Sequence, residues 1–175
     1  MSWRQLQQIL RVGILTEPAP QMPPAPAPGA EAVLAVHALS REILSVFGRA
    51  AAVRAVDAGS CNGCELEMHA LNNPYYNIEG MGIKFVASPR HADLLLVTGP
   101  VAAHMEAALV RTFEAVPGPK RVVALGDCAC SGGVFGESYA SRGRVANVIP
   151  VDVEVGGCPP PPVEILRGIL RALRT

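Results

Sequence analysis

Residues 93–99, DLLLVTG, decide how this chain folds. The apolar run is short, continuous and closed by Thr98 and Gly99. A run without polar alternation fits a strand buried on both faces, as in a parallel sheet covered by helices. Residues 121–126, RVVALG, repeat the pattern, and AAVRAVD at 51–57 reads as a third strand. Further out, IKFVAS (83–88) and VIPVDVEV (148–155) read as strands, and CELEMHAL (64–71), 101–115 and 162–173 as helices. Asp152 and Glu154 alternate with Val151, Val153 and Val155, the pattern of an edge strand with one solvated face. The β/α alternation predicts an α/β open sheet.

The N-terminal part reads differently. In residues 1–17, Trp3, Leu6, Leu10 and Ile14 recur at helical spacing with Arg4, Gln5, Gln8 and Arg11 between them. Such a basic amphipathic helix docks on a partner subunit or lies on a membrane surface. Residues 18–30 form a linker, because PAPQMPPAPAP at 18–28 carries six prolines and can build neither helix nor sheet. The folded domain spans 31–175 and opens with a helix over 31–48.

Composition narrows the function. Half the residues are hydrophobic and 17% are charged, which is apolar for a domain of this size and points to surface covered by partners. Formal net charge is zero and only 5% of residues are aromatic, so neither a basic patch nor a stacking platform recommends nucleic acid. No stretch approaches the ~20 apolar residues of a membrane span. The N-terminus shows neither a signal-peptide core nor a twin-arginine pair, so a reducing cytoplasm is expected. There, five cysteines read as metal ligands or reactive thiols before disulfides.

Four of the five share a place in the pattern. Cys61 and Cys64 follow strand 51–57, Cys128 follows 121–126, and Cys158 follows 148–155. The carboxyl ends of parallel strands form one edge, where ligands bind, so thiols far apart in sequence converge there. The local sequences suit a metal: GSCNGC (59–64) has C-x-x-C spacing with glycines that let the backbone wrap closely. GDCACSGG (126–133) leaves amides free to point at sulfur, and GGCPPPP (156–162) is stiff and offers few competing N–H groups. Cys128 comes directly off its strand and is the expected ligand, with Cys130 a small buried residue. An iron–sulfur cluster on Cys61, Cys64, Cys128 and Cys158 is the expectation. A zinc-stabilised interaction domain is the alternative, although structural zinc sites favour paired knuckles in small domains. A thiol redox site also stays open. A nucleotide-binding role is disfavoured, because 126–133 lacks the Lys-Ser/Thr ending of a phosphate loop.

With these motifs assembled, the chain resembles the small electron-transfer subunit shared by nickel–iron hydrogenases and the 20 kDa subunit of respiratory complex I. The matching stretches are GSCNGCELEM (59–68), SPRHADLLLVTGPV (88–101), KRVVALGDCACSGGVF (120–135) and PVDVEVGGCPPPPVEIL (150–166). The resemblance implies a flavodoxin-like, mainly parallel sheet with helices on both faces. It also implies one 4Fe-4S cluster next to a partner's active site. Complex I subunits typically carry two adjacent cysteines at the first motif. Here Asn62 and Gly63 separate Cys61 from Cys64, which resembles the membrane-bound, energy-converting hydrogenases and the hydrogenase module of formate hydrogenlyase.

On that resemblance the chain is a non-catalytic electron-transfer subunit of an oxidoreductase complex, peripheral on the cytoplasmic side of the cell membrane. Its implied partners are a nickel–iron hydrogenase large subunit, a ferredoxin-like 4Fe-4S subunit and integral membrane subunits. The alternative keeps the cluster in a complex I-like quinone reductase. Glu67 resembles an acid the family keeps near its cluster, able to relay protons or tune potential, or simply to suit the helix dipole. Arg90 is expected near the cluster, where a cation raises its potential, and His91 is a weaker tuning candidate. Glu65 reads as a dipole partner at the helix start.

Overall fold

The computed structural model describes residues 50–174 together with Trp3 and Gln7, both exposed and in helical conformation. The helix expected over 31–48, the linker and the rest of the N-terminal helix lie outside the described residues. The strands are β1 (Ala51–Asp57), β2 (Ile83–Phe85), β3 (Leu94–Thr98), β4 (Arg121–Leu125) and β5 (Val153–Val155). The helices are α1 (Gly63–Ala70), α2 (Glu106–Ala115), α3 (Asp127–Ser131) and α4 (Pro162–Arg174). All strand pairs are parallel, in the order β2-β1-β3-β4-β5. This is the flavodoxin-like order, whose switch point falls between β1 and β3.

Residues 94–98 occupy the sheet's centre and are buried throughout. Leu94 and Leu96 face one core with Val53, Val123, Leu125, Ile165 and Ile169. Leu95 and Val97 face the other, with Val56, Val122, Leu109 and Ile149. Fully burying one such side chain contributes roughly 1.5–3 kcal/mol before the entropy cost of ordering it. A strand apolar on both faces is therefore at home only between two covered layers.

Three elements are shorter than the sequence pattern indicates. The strand expected over 148–155 narrows to 153–155, and residues 145–147 form a 3-10 turn. Pro150 has no N–H for a ladder, and the amides of Val148 and Ile149 bond back to the Val145 carbonyl. Asp152 then sets the edge by accepting from Val122 N–H at 2.7 Å. The helix expected over 101–115 starts at Glu106, because Val101 is tied to the 142–143 segment: its carbonyl accepts from Arg142 N–H and its amide donates to the Gly143 carbonyl. β2 ends at Phe85, after which the chain turns through Pro89–His91 into β3.

α4 packs onto the sheet through Gly168, where a Cβ would stand 2.2 Å from Val155 Cγ2. Gly168→Ala is expected to lower stability by roughly 1–3 kcal/mol through overpacking. Urea unfolding checks this, and in Val155→Ala chains the added methyl should cost less. An unchanged midpoint in the single variant would show that α4 is not seated this way.

Candidate metal centre

The parallel sheet brings the segments after β1, β4 and β5 to one edge, and each is held by its own backbone chemistry. After β1, Asp57 Oδ1 accepts from the amides of Gly59 (2.8 Å) and Ser60 (2.7 Å), and Ser60 Oγ accepts from Asn62 N–H at 3.0 Å. These successive turns carry Cys61 outward and end on Asn62, whose φ of 70° is left-handed. Asparagine tolerates that region, and its carbonyl accepts from Leu66 N–H at the start of α1. Cys64 therefore leads the helix while Cys61 stays on the turn before it.

After β4, Gly126 turns with φ 90° and Cys128 falls in α3. After β5, Cys158 falls in the loop before α4. Asp127 joins these two segments. Its Oδ1 accepts from Gly157 N–H at 2.7 Å and its own N–H donates to the Gly157 carbonyl at 2.9 Å. The loop that carries Cys158 is thereby fixed against the residue preceding Cys128.

Glycines lie against the sulfurs. A Cβ on Gly126 would stand 2.6 Å from Cys64 Sγ, and one on Gly133 2.8 Å from Cys128 Sγ. One on Gly63 would stand 3.5 Å from Cys61 Sγ. Cys61 and Cys158 are exposed, Cys64 and Cys128 half-buried, and none is disulfide-bonded. Electrostatics gather the same four. Burial pushes the Cys64 thiol up to about 12, helped by the charges of Glu65, Cys61, Cys128 and Cys158. Burial also raises Cys128, helped by Cys158, Cys61 and Asp127.

Cys130 belongs to a different environment. Its Sγ lies 3.5 Å from the Ala124 carbonyl and it packs against the second core. Burial, then the charges of Glu154 and Asp127, push it up to about 11. Thus Cys61, Cys64, Cys128 and Cys158 could together hold a metal group, with small residues leaving room beside the sulfurs. Among the described residues no three His, Cys, Asp or Glu close around a point as a single ion requires.

The other expected site residues fall elsewhere. Arg90 and His91 are exposed in the turn ahead of β3 and line a surface hollow with Lys84, Asp93 and Pro117. Asp93 and Pro117 lie ahead of β3 and β4, whereas the cysteine segments come after β1, β4 and β5. Glu67 is half-buried on α1, three residues past Cys64. Glu65 does more than suit a helix dipole: it accepts a short hydrogen bond from the hydroxyl of Thr98, a fully buried polar residue at the end of β3. Asp57, Asp127 and Thr98 escaped the sequence reading. Their only signal was position, a polar residue at or just past the end of an apolar strand.

Exposure orders the thiols, and burial holds Cys64 and Cys130 back further. In the metal-free chain at pH 8, Cys61 and Cys158 should alkylate first, with Cys64 and Cys130 slowest. Because a raised thiol stays protonated and unreactive, the Cys64 rate should climb only as pH rises towards about 12. Peptide mass spectrometry of timed samples reads the order, and early labelling of Cys64 would contradict this arrangement.

Residues 61–172 match the family described as NADH ubiquinone oxidoreductase, 20 Kd subunit. The chain is 46% identical to a probable membrane-bound hydrogenase subunit of Pyrococcus furiosus, over 75% of this chain and 79% of that one. It is 41% identical to formate hydrogenlyase subunit 7 of Escherichia coli over 79% of this chain, but spans only 54% of that protein's length. Its fold also matches a chain in the solved structure of an archaeal membrane-bound sulfane sulfur reductase, a respiratory membrane complex. That match has TM-score 0.63 and 32% identity, and covers 76% of this chain and 75% of that chain. The sheet order, the edge that gathers the cysteine segments and these likenesses agree: the chain belongs to the NADH ubiquinone oxidoreductase 20 Kd subunit family.

Proposed function

We propose that the chain carries one 4Fe-4S cluster on Cys61, Cys64, Cys128 and Cys158. In this reading it passes electrons to or from the nickel–iron centre of a partner in a membrane-bound hydrogenase complex. The observation that carries the reading is the closeness of the three cysteine loops at one sheet edge: the Cβ position of Gly126 meets Cys64 Sγ at 2.6 Å and the Gly157 carbonyl at 3.4 Å, and that of Gly63 meets Cys61 Sγ at 3.5 Å and Pro159 at 3.9 Å. Such a donor set suits a cubane, which takes four cysteines. When bound, the cluster supplies one-electron, outer-sphere transfer. The protein's part is to hold it. The glycines at 63, 126 and 133 leave the sulfurs room, and Asp57 and Asp127 fix the loops so that little rearrangement accompanies each electron.

The rim of this edge suits burial in a complex. Each cysteine segment carries an exposed apolar residue nearby: Leu66 after Cys64, Val134 and Phe135 after Cys128, and Val163 after Cys158. Val134 is 94% exposed, and apolar side chains grouped around one edge mark a surface that partners cover. A hydrogenase large subunit is the proposed occupant, with a ferredoxin-like subunit as electron donor or acceptor. No helix among the described residues is long and apolar enough to cross a membrane. Attachment on the cytoplasmic side through integral membrane subunits is part of the proposal, supported by relatives that belong to membrane-bound complexes. The hydrogenase-named relatives and the residues between Cys61 and Cys64 favour nickel–iron chemistry. The second reading, transfer to quinone, rests on the family's own description.

Two measurements test this. Serine at Cys61, Cys64, Cys128 or Cys158 should strip or alter the iron and the EPR signal of the reduced cluster, while Cys130→Ser should keep both. Equal losses from all five, or a purified chain holding zinc without iron, would overturn the ligand set. Metal analysis of the intact complex should find nickel together with iron. Iron without nickel would move the assignment to the quinone-linked branch.

A further inference from the structure

We propose that Arg54 and Glu65 form an internal charge pair across the cavity beside α1, which sets the potential of the cluster held by Cys64. The inference rests on the cluster reading above and adds two residues with no place in it. β2 pairs with β1 only as far as Val53↔Phe85, so beyond Val53 the edge of β1 lacks a strand neighbour among the described residues. A cavity of about 340 Å³ opens there, lined by Arg54, Glu65, His69, Asn72, Phe85 and Val86 among others. Glu65 is the one acid in that lining among the described residues.

Two of the lining atoms are buried with no hydrogen-bond partner among the described residues: Arg54 Nε, a donor, and Glu65 Oε2, an acceptor. A guanidinium stays charged at any physiological pH and keeps a buried place only against a compensating charge. Each atom lacks what the other supplies, and both residues line the same cavity. The other carboxylate oxygen is already fixed by Thr98 on β3. The Glu65 carboxylate is therefore held in one place beside Cys64, its neighbour in sequence. A fixed negative charge there disfavours adding an electron to the cluster, and the Arg54 cation across the cavity partly cancels it. Arg54 and Glu65 are thus positioning and tuning residues and touch no reacting atom.

The test is an EPR-monitored redox titration of the purified complex, with iron per chain measured in each variant. Glu65→Gln keeps an acceptor for Thr98 and removes the charge, so the midpoint should rise. Arg54→Met should lower it. Each change should be at least tenfold in the oxidised-to-reduced ratio at fixed potential, about 59 mV for a one-electron couple. Glu65→Asp and Arg54→Lys should return the midpoint towards the starting value. Midpoints unmoved in both uncharged variants, or moved in the same direction, at full iron content would overturn the pair. Should Glu65→Gln fail to assemble, the two Arg54 variants still decide the sign. An unsubstituted complex with no cluster on this chain would instead refute the proposed function itself.

Discussion

Parallel pairing is the constraint on which everything else depends. Once β1, β3, β4 and β5 run in one direction, their carboxyl ends share an edge, and whatever follows each strand is delivered there. Cys61, Cys64, Cys128 and Cys158 span almost a hundred positions of chain, yet they need no long-range recognition of one another. Their meeting is a consequence of strand direction. Strand direction in turn follows from apolar runs such as Leu94–Val97, which cannot expose either face and therefore need helices on both sides.

Direction alone delivers the loops but leaves them loose. Asp57 and Asp127 remove that freedom in different ways. Asp57 folds its own segment through two amides ahead of Cys61. Asp127 reaches across to Gly157, so that the Cys128 and Cys158 segments become one unit. The glycines act as spacers. At Gly126 both the positive φ and the nearness of Cys64 Sγ exclude a side chain. The edge is therefore preformed by hydrogen bonds and by omitted atoms, and the thiols need not find their places anew when a metal group is bound.

Sequence reading reached the fold because the periodicities behind it are local. The runs at 51–57, 93–99 and 121–126 match β1, β3 and β4 to within a residue at each end. It overran at 148–155 and 101–115, where backbone amides were already engaged by distant carbonyls or by a 3-10 turn that no local pattern signals. It singled out Cys128 over Cys130 from position, and the structure adds the environment: Cys130 lies towards Ala124 and the second core. The carboxylates were harder. Glu65 and Glu67 are both acids near the start of one helix, and only the buried Thr98 distinguishes them, across a contact of 33 positions. Arg90 and His91 sit in a loop between strands just as the cysteines do, but ahead of β3 and not after it. Loop membership was legible, whereas the end of the sheet a loop occupies depends on where β2 stops.

The distribution of core and site has a further consequence for stability. Structural zinc domains are unfolded without metal because the metal replaces a missing core. In this fold the two apolar layers meet across β3 around Leu94, Leu95, Leu96 and Val97, with Cys64 and Cys130 packed only against their margins. The thiol edge works against charge: burial and mutual repulsion keep Cys64 and Cys128 protonated, so thiolate ligation there must displace protons. A cluster on the proposed ligands would supply the positive charge that lets four thiolates coexist. The edge can be tuned by nearby charges such as Glu65 and Arg54 without putting the sheet at risk.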